Sequence, residues 1–163
     1  MLRSYGMRFD GNLLNRGFWL YVWEIKGPTS HHVYVGRTGD SSSPHASSPF
    51  KRIGQHLDPA PNAKGNALRR HLERTGVNFN QCSFEMIAIG PIWQEKITFD
   101  AHRPIRDRMA ALERAIADEL RNRGYVVLGT HPRRGNPDAA LLDEIWTLLN
   151  PRLPMVSRAN QTL

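Results

Sequence analysis

Phe18-Trp19-Leu20-Tyr21-Val22-Trp23-Glu24-Ile25, then Lys26-Gly27-Pro28-Thr29-Ser30, then His32-Val33-Tyr34-Val35-Gly36: this stretch decides how the chain is read. The first run is dense in aromatic and β-branched residues, which fit a pleated surface. Lys26 to Ser30 is a turn-rich break, and the second run is closed by Arg37-Thr38-Gly39-Asp40. The pattern predicts an antiparallel hairpin with a loop of several residues. It carries one tyrosine on each strand, Tyr21 and Tyr34.

Downstream, Asp40 to Pro49 is rich in Ser and Pro and reads as a surface loop. Phe50, Ile53 and Leu57 then recur at i, i+3 and i+7, which predicts an amphipathic helix opened by Ser48-Pro49, with Arg52 and His56 sharing another face. A second short helix is expected over Asn66 to Arg74. A third strand, Phe84 to Ile89, is expected to stop at Gly90-Pro91, with Cys82 buried just ahead of Ser83-Phe84 in the same strand. The strongest helical signal is Ile105, Met109, Leu112, Ile116 and Leu120, with Gly124 as the stop. Tyr125 to Leu128 is either a short strand or an extended segment. A last helix over about 138–150 carries Leu141, Leu142, Ile145, Trp146 and Leu149, and the tail past Pro151 is expected to fray.

The whole chain, 163 residues, suits one domain, and 40% apolar with 23% charged residues is a folding composition. The single cysteine, Cys82, excludes an internal disulfide and any multi-cysteine metal site. No apolar run reaches the roughly 18 to 20 residues of a membrane span, and Met1 to Gly6 has no leader-like stretch, so a cytoplasmic protein with no membrane partner is expected. Lys and Arg number 22 against 15 acidic residues, a net charge of +7, with a pI near 10.2. Eighteen of those cations are arginine, whose planar fork suits phosphate oxygens. A polyanion is the indicated partner.

Three features carry candidate chemistry. Glu113 lies beside the apolar stripe of the long helix, where an unpaired carboxylate is costly; a magnesium ion would neutralise it, and so would Arg114 or Arg106. Tyr21 and Tyr34 are either half-buried packing or phenols near a reacting centre. Arg52 and His56 are either a solvated face or a cation and a donor beside those phenols.

Together these residues resemble the GIY-YIG nuclease family. Trp19-Leu20-Tyr21 is followed thirteen residues later by Tyr34-Val35-Gly36, then by Phe50-Lys51-Arg52 with His56 four on, then by Leu112-Glu113 in a long helix. The resemblance covers residues 18–128 as a nuclease-like core. It implies an α/β (α+β) fold with a small three-stranded antiparallel sheet flanked by helices, and metal-dependent hydrolysis of DNA by Mg²⁺, with Mn²⁺ as a substitute. Tyr21 would be the base or water-orienting phenol, and Tyr34 would hold the water or a phosphate oxygen. Arg52 would stabilise phosphate charge, His56 would hydrogen-bond the nucleophile or leaving group, and Glu113 would be the metal ligand. Arg37, Lys51, Arg69, Arg70 and Arg74 would neutralise flanking phosphates. The chain departs from the family in having Trp19 for glycine and Val126 where an asparagine is usual, with Asn122 and Asn136 as shifted substitutes. With no separate recognition domain, a homodimer is one way to cut both strands. The rival readings are a binding module of the same fold that does not cut, and an arginine-rich structural domain with no nucleic-acid role.

Overall fold

Strand β1 (Phe18–Lys26) has apolar side chains pointing both ways, and both sets are buried. Phe18, Leu20 and Val22 face one side, and Tyr21, Trp23 and Ile25 the other. A strand of this kind must lie inside a sheet with cover on both faces. The structure is a computed structural model describing residues 2–40, 43, 45–131 and 135–156. In it β1 is flanked by β2 (His31–Arg37) and β3 (Ser83–Trp93), with β4 (Val126–Leu128) beyond β2, in the order β3-β1-β2-β4.

Four α-helices supply the cover. Helices α1 (Pro49–Leu57) and α2 (Ala67–Glu73) lie over the Tyr21 face, where Leu68 and Leu72 are fully buried and Ile53 and Leu57 pack beside them. Helices α3 (Phe99–Asn122) and α4 (Ala139–Leu149) cover the opposite face through Met109, Leu112, Ile116, Leu120, Ile145 and Leu149. Each such side chain contributes roughly 1.5 to 3 kcal/mol when withdrawn from water, so this double layer dominates stability. Local signals set the helix starts. The Ser48, Thr98 and Asp138 side chains accept hydrogen bonds from Lys51, Ala101 and Leu141, with Pro49 in the first turn of α1.

The α+β class, the hairpin and the helices α1, α2 and α4 agree with the sequence expectation. The sheet does not: it has four strands and is mixed, because β4 pairs in parallel with β2 over His32–Tyr34. The extended segment after α3 adds to the sheet edge beside β2. Strand β3 also runs past Gly90-Pro91 to Trp93, through a shift in register between Phe18↔Trp93 and Leu20↔Ile89. Cys82 lies just ahead of β3 and is only half-buried, its Sγ facing the Asn78 carbonyl at 3.3 Å. Helix α3 starts at Phe99 and continues through Pro104. Trp146 packs against the core, with the Arg123 guanidinium 4.2 Å from its ring centre. Residues 41, 42 and 44 of the Ser-rich loop, 132–134 and the tail from 157 lie outside the described residues. Among the described residues no helix is long and apolar enough to cross a membrane.

Candidate active site

The hairpin register places Tyr21 opposite Gly36 and Trp23 opposite Tyr34, so both tyrosines point to the α1 face. Gly36 makes the arrangement fit. A Cβ there would lie 2.4 Å from a Tyr21 ring carbon. Helix α1 crosses this face, and Arg52 and His56, one turn apart, both reach the Tyr21 hydroxyl. Arg52 Nε donates to it at 3.2 Å, and His56 Nε2 is 2.7 Å away. The phenol is also 3.2 Å from the Arg37 carbonyl. The Tyr34 ring packs edge-on to His56 with centres 5.3 Å apart. Three separate stretches of chain thus converge on one oxygen.

His56 is fully buried, and its Nδ1 has no partner among the described residues. An orphaned N–H is costlier than an orphaned lone pair, which favours the tautomer protonated on Nε2. In that form His56 and Arg52 both donate to the Tyr21 oxygen, and Tyr21 donates to the Arg37 carbonyl. Burial, then the Arg52 charge, lowers the His56 pKa to about 3 despite Asp40, so the imidazole is neutral at pH 7. Burial pushes the Tyr21 phenol above its ordinary range, with Arg52 opposing. Burial works against the charge on Arg52 too, but Tyr21 and Asp40 outweigh it and keep the guanidinium ionised.

Glu113 approaches from the other side of the sheet. On α3 it follows the buried Leu112, which turns it to the rim of the apolar stripe. Strand β4 ends opposite Tyr34, the Val35 carbonyl beyond it is met by His131 Nε2 at 3.3 Å, and Arg37 at the end of β2 is left for Glu113. There Arg37 Nε donates to Glu113 Oε2 at 2.8 Å, and the two side chains are 12% and 20% exposed. Burial raises the Glu113 carboxyl and Arg37 opposes that shift. The neighbouring Tyr34 phenol is pushed up to about 12, by burial first and Glu113 second. Neither Arg114 nor Arg106 is the partner of Glu113: they pair with Asp118 and Asp107.

The remaining candidates are spread more widely. Lys51 and Arg70 are exposed. Arg69 is held by Glu73 at 2.8 Å, with its guanidinium 4.6 Å from the Phe79 ring centre. Asn122, at the end of α3, is about 14 Å along the helix from Glu113, and Asn136 lies against Ala111 on the far side of α3. Neither reaches the tyrosines. One participant escaped the sequence reading: Asp40, whose Oδ2 sits 2.9 Å from Arg52 Nη2. In the sequence it looked like an ordinary turn residue, and only the fold brings it to α1.

Among the described residues no group of three or more His, Cys, Asp or Glu is arranged to hold a metal. The donor set fits a hard cation bound through one carboxylate, water and a substrate phosphate, as magnesium is commonly held, and does not fit a closed protein cage. No family model, curated protein or solved structure matches this chain.

Proposed function

We propose that the chain is a metal-dependent endonuclease of the GIY-YIG type that hydrolyses DNA phosphodiester bonds. The observation that carries this reading is the convergence of Tyr21, Arg52 and His56 on one hydroxyl, with Tyr34 and Glu113 beside them. A fixed cation, a buried phenol and imidazole hydrogen-bonded behind it, a second phenol and one carboxylate are a sufficient kit for attack of water on a phosphate, the water's proton leaving to solvent.

The roles follow from exposure. Tyr21 is 1% exposed and works from behind, fixing Arg52 and accepting a hydrogen bond from neutral His56. The Tyr34 hydroxyl has no hydrogen bond to a described residue, so it is the phenol that meets the attacking water or a phosphate oxygen. Arg52 stabilises the charge that grows on the phosphate as the new P–O bond forms and the ester bond breaks. Glu113 would hold Mg²⁺ or Mn²⁺, which when bound neutralises charge at the phosphate and the leaving oxygen. Lys51 and Arg70 meet flanking phosphates directly, whereas Arg69 and Arg37 must first leave Glu73 and Glu113. One such site cuts one strand, so a double-strand break takes two copies of the chain.

The rival reading is a DNA-binding module of the same fold, and the distance of Asn122 and Asn136 from the tyrosines favours it. Supercoiled plasmid at low salt, with Mg²⁺ or EDTA, separates the two when wild type is run beside Glu113→Ala and Arg52→Ala. Metal-dependent nicking lost in both variants supports the nuclease. A gel shift with no cutting in either metal assigns the chain to the binding class.

A further inference from the structure

A recess of about 380 Å³ opens beside the Tyr21 cluster, and Arg16, His45, Lys51 and Arg52 all line it. Asp40 is the carboxylate that lines it with them, and Glu95 beside it holds Arg16 at 2.6 Å and reaches His45 at 3.2 Å. Asp40 holds Arg52 through a single short ion pair of 2.9 Å. The two partners are unlike. Arg52 is 14% exposed and fixed by Tyr21 at 3.2 Å and Gln55 at 3.4 Å, while Asp40 is 40% exposed. The cation is built into the fold, and the anion sits on it from the solvent side.

The backbone delivers that anion to its place. Thr38 is fully buried, its hydroxyl accepting from Trp19 N at 2.8 Å and donating to the Gly17 carbonyl at 2.5 Å. Gly39 follows with φ +73°, in the left-handed region that favours glycine, and its carbonyl accepts from His102 Nε2 at 2.9 Å. A Cβ at Gly39 would lie 2.5 Å from the Phe18 ring. Asp40 is therefore the first residue past a pinned corner, aimed at Arg52.

We infer that Asp40 is a built-in competitor for phosphate, its carboxylate occupying the seat on Arg52 that a substrate phosphate oxygen takes. A carboxylate and a phosphate oxygen satisfy the same guanidinium fork, so the exchange leaves Arg52 hydrogen-bonded throughout. A lone monoanion gains little by displacing Asp40. A nucleic-acid strand also brings a neighbouring phosphate to the exposed Lys51, so it wins the exchange, whereas Arg16 must first leave Glu95. The ligand class rests on the nuclease reading; the competition rests on the Arg52–Asp40 pair alone.

The test is equilibrium binding of a short fluorescein-labelled DNA duplex to the full chain in EDTA at low salt, read by anisotropy. The Asp40→Asn variant keeps the side-chain shape and an oxygen toward Arg52 but removes the competing charge. Asp143→Asn, on the exposed side of α4, removes the same charge elsewhere. Asp40→Asn is expected to tighten binding roughly fivefold, the scale of one partly exposed ion pair, while Asp143→Asn stays close to wild type. Unchanged or weaker binding by Asp40→Asn, or an equal gain in Asp143→Asn, overturns the competitor role. Arg52→Ala separates the two levels of argument. If it weakens binding while Asp40→Asn does nothing, the site survives and the competition does not. If no protein in the set binds the duplex, both fall together.

Discussion

Gly36→Ala tests the geometry on which everything at the site depends. The new Cβ would lie 2.4 Å from one Tyr21 ring carbon and 2.7 Å from both the next carbon and the hydroxyl oxygen. Gly36 is not at positive φ, so the cost is purely steric. Tyr21 has little room to recoil, being 1% exposed and tied to His56 and Arg52. Overpacking of this kind costs about 1 to 3 kcal/mol, and displacing the hydroxyl from its partners adds about 1 to 3. The assay is urea unfolding of wild type, Gly36→Ala, Tyr21→Ala and the double variant. Tyr21→Ala alone should lose roughly 3 to 5 kcal/mol, as for other buried aromatic deletions. With the ring gone, Gly36→Ala has nothing to strike and should cost under about 0.5 kcal/mol. The cycle should therefore show a coupling above about 1.5 kcal/mol. An equal cost for Gly36→Ala in both backgrounds would falsify the close contact and with it the placement of Tyr21.

Two further outcomes follow from buried polar groups. His56 has its ordinary pKa of 6.5 when unfolded and one lowered to about 3 when native, so between those values the unfolded chain binds more protons. Its contribution is complete above about pH 6.5 and is lost as pH falls toward 3, by an amount on the order of a few kcal/mol. His56→Gln should flatten that part of the profile, and an identical drop in urea midpoint between neutral pH and about pH 4 in both proteins would refute it. Thr38→Val keeps the shape of a buried residue but leaves Trp19 N and the Gly17 carbonyl without their partner. It should cost about 1 to 3 kcal/mol by urea unfolding and speed amide exchange at Trp19; an unaffected variant would mean the corner is not pinned by this hydroxyl.

The sequence was most legible where periodicity was long and its ends were marked. The hairpin announced itself by two β-rich runs around Lys26 to Ser30, and α3 by a stripe of five apolar residues over about four turns. The tyrosines, Arg52, His56 and Glu113 are each ambiguous alone, and it is the resemblance of their order and spacing to the GIY-YIG motifs that makes them candidates together. What stayed hidden depended on contacts distant in sequence. Strand β4 has three residues and exists because β2 offers its edge at His32–Tyr34, information absent from Tyr125-Val126-Val127-Leu128 itself. The run of β3 past Gly90-Pro91 is likewise set by its pairing with Phe18 across a register shift. Glu113 has Arg114 beside it in sequence, but i, i+1 neighbours on a helix do not face each other, and its partner is Arg37 on β2. Asp40 carried no local signal at all.

Those two hidden pairings change how the charge of the protein is understood. A surplus of seven positive charges says that a polyanion is attracted, and nothing about where it is held. At the site itself the ledger is balanced: Arg52 is matched by Asp40 and Glu113 by Arg37. The surplus lies instead on side chains such as Lys51 and Arg70, which make no ion pair with a described residue. If the proposed function holds, long-range attraction and chemistry fall to different groups. On the proposed nuclease reading, the exposed cations would govern encounter and its salt dependence, while the paired ones would become available only to a ligand that replaces both internal partners, an anion at Arg52 and a cation at Glu113. A phosphate accompanied by a divalent cation meets both demands at once. A site whose charges are already neutralised in pairs stays stable when empty, because neither Arg52 nor Glu113 is left as an uncompensated buried charge.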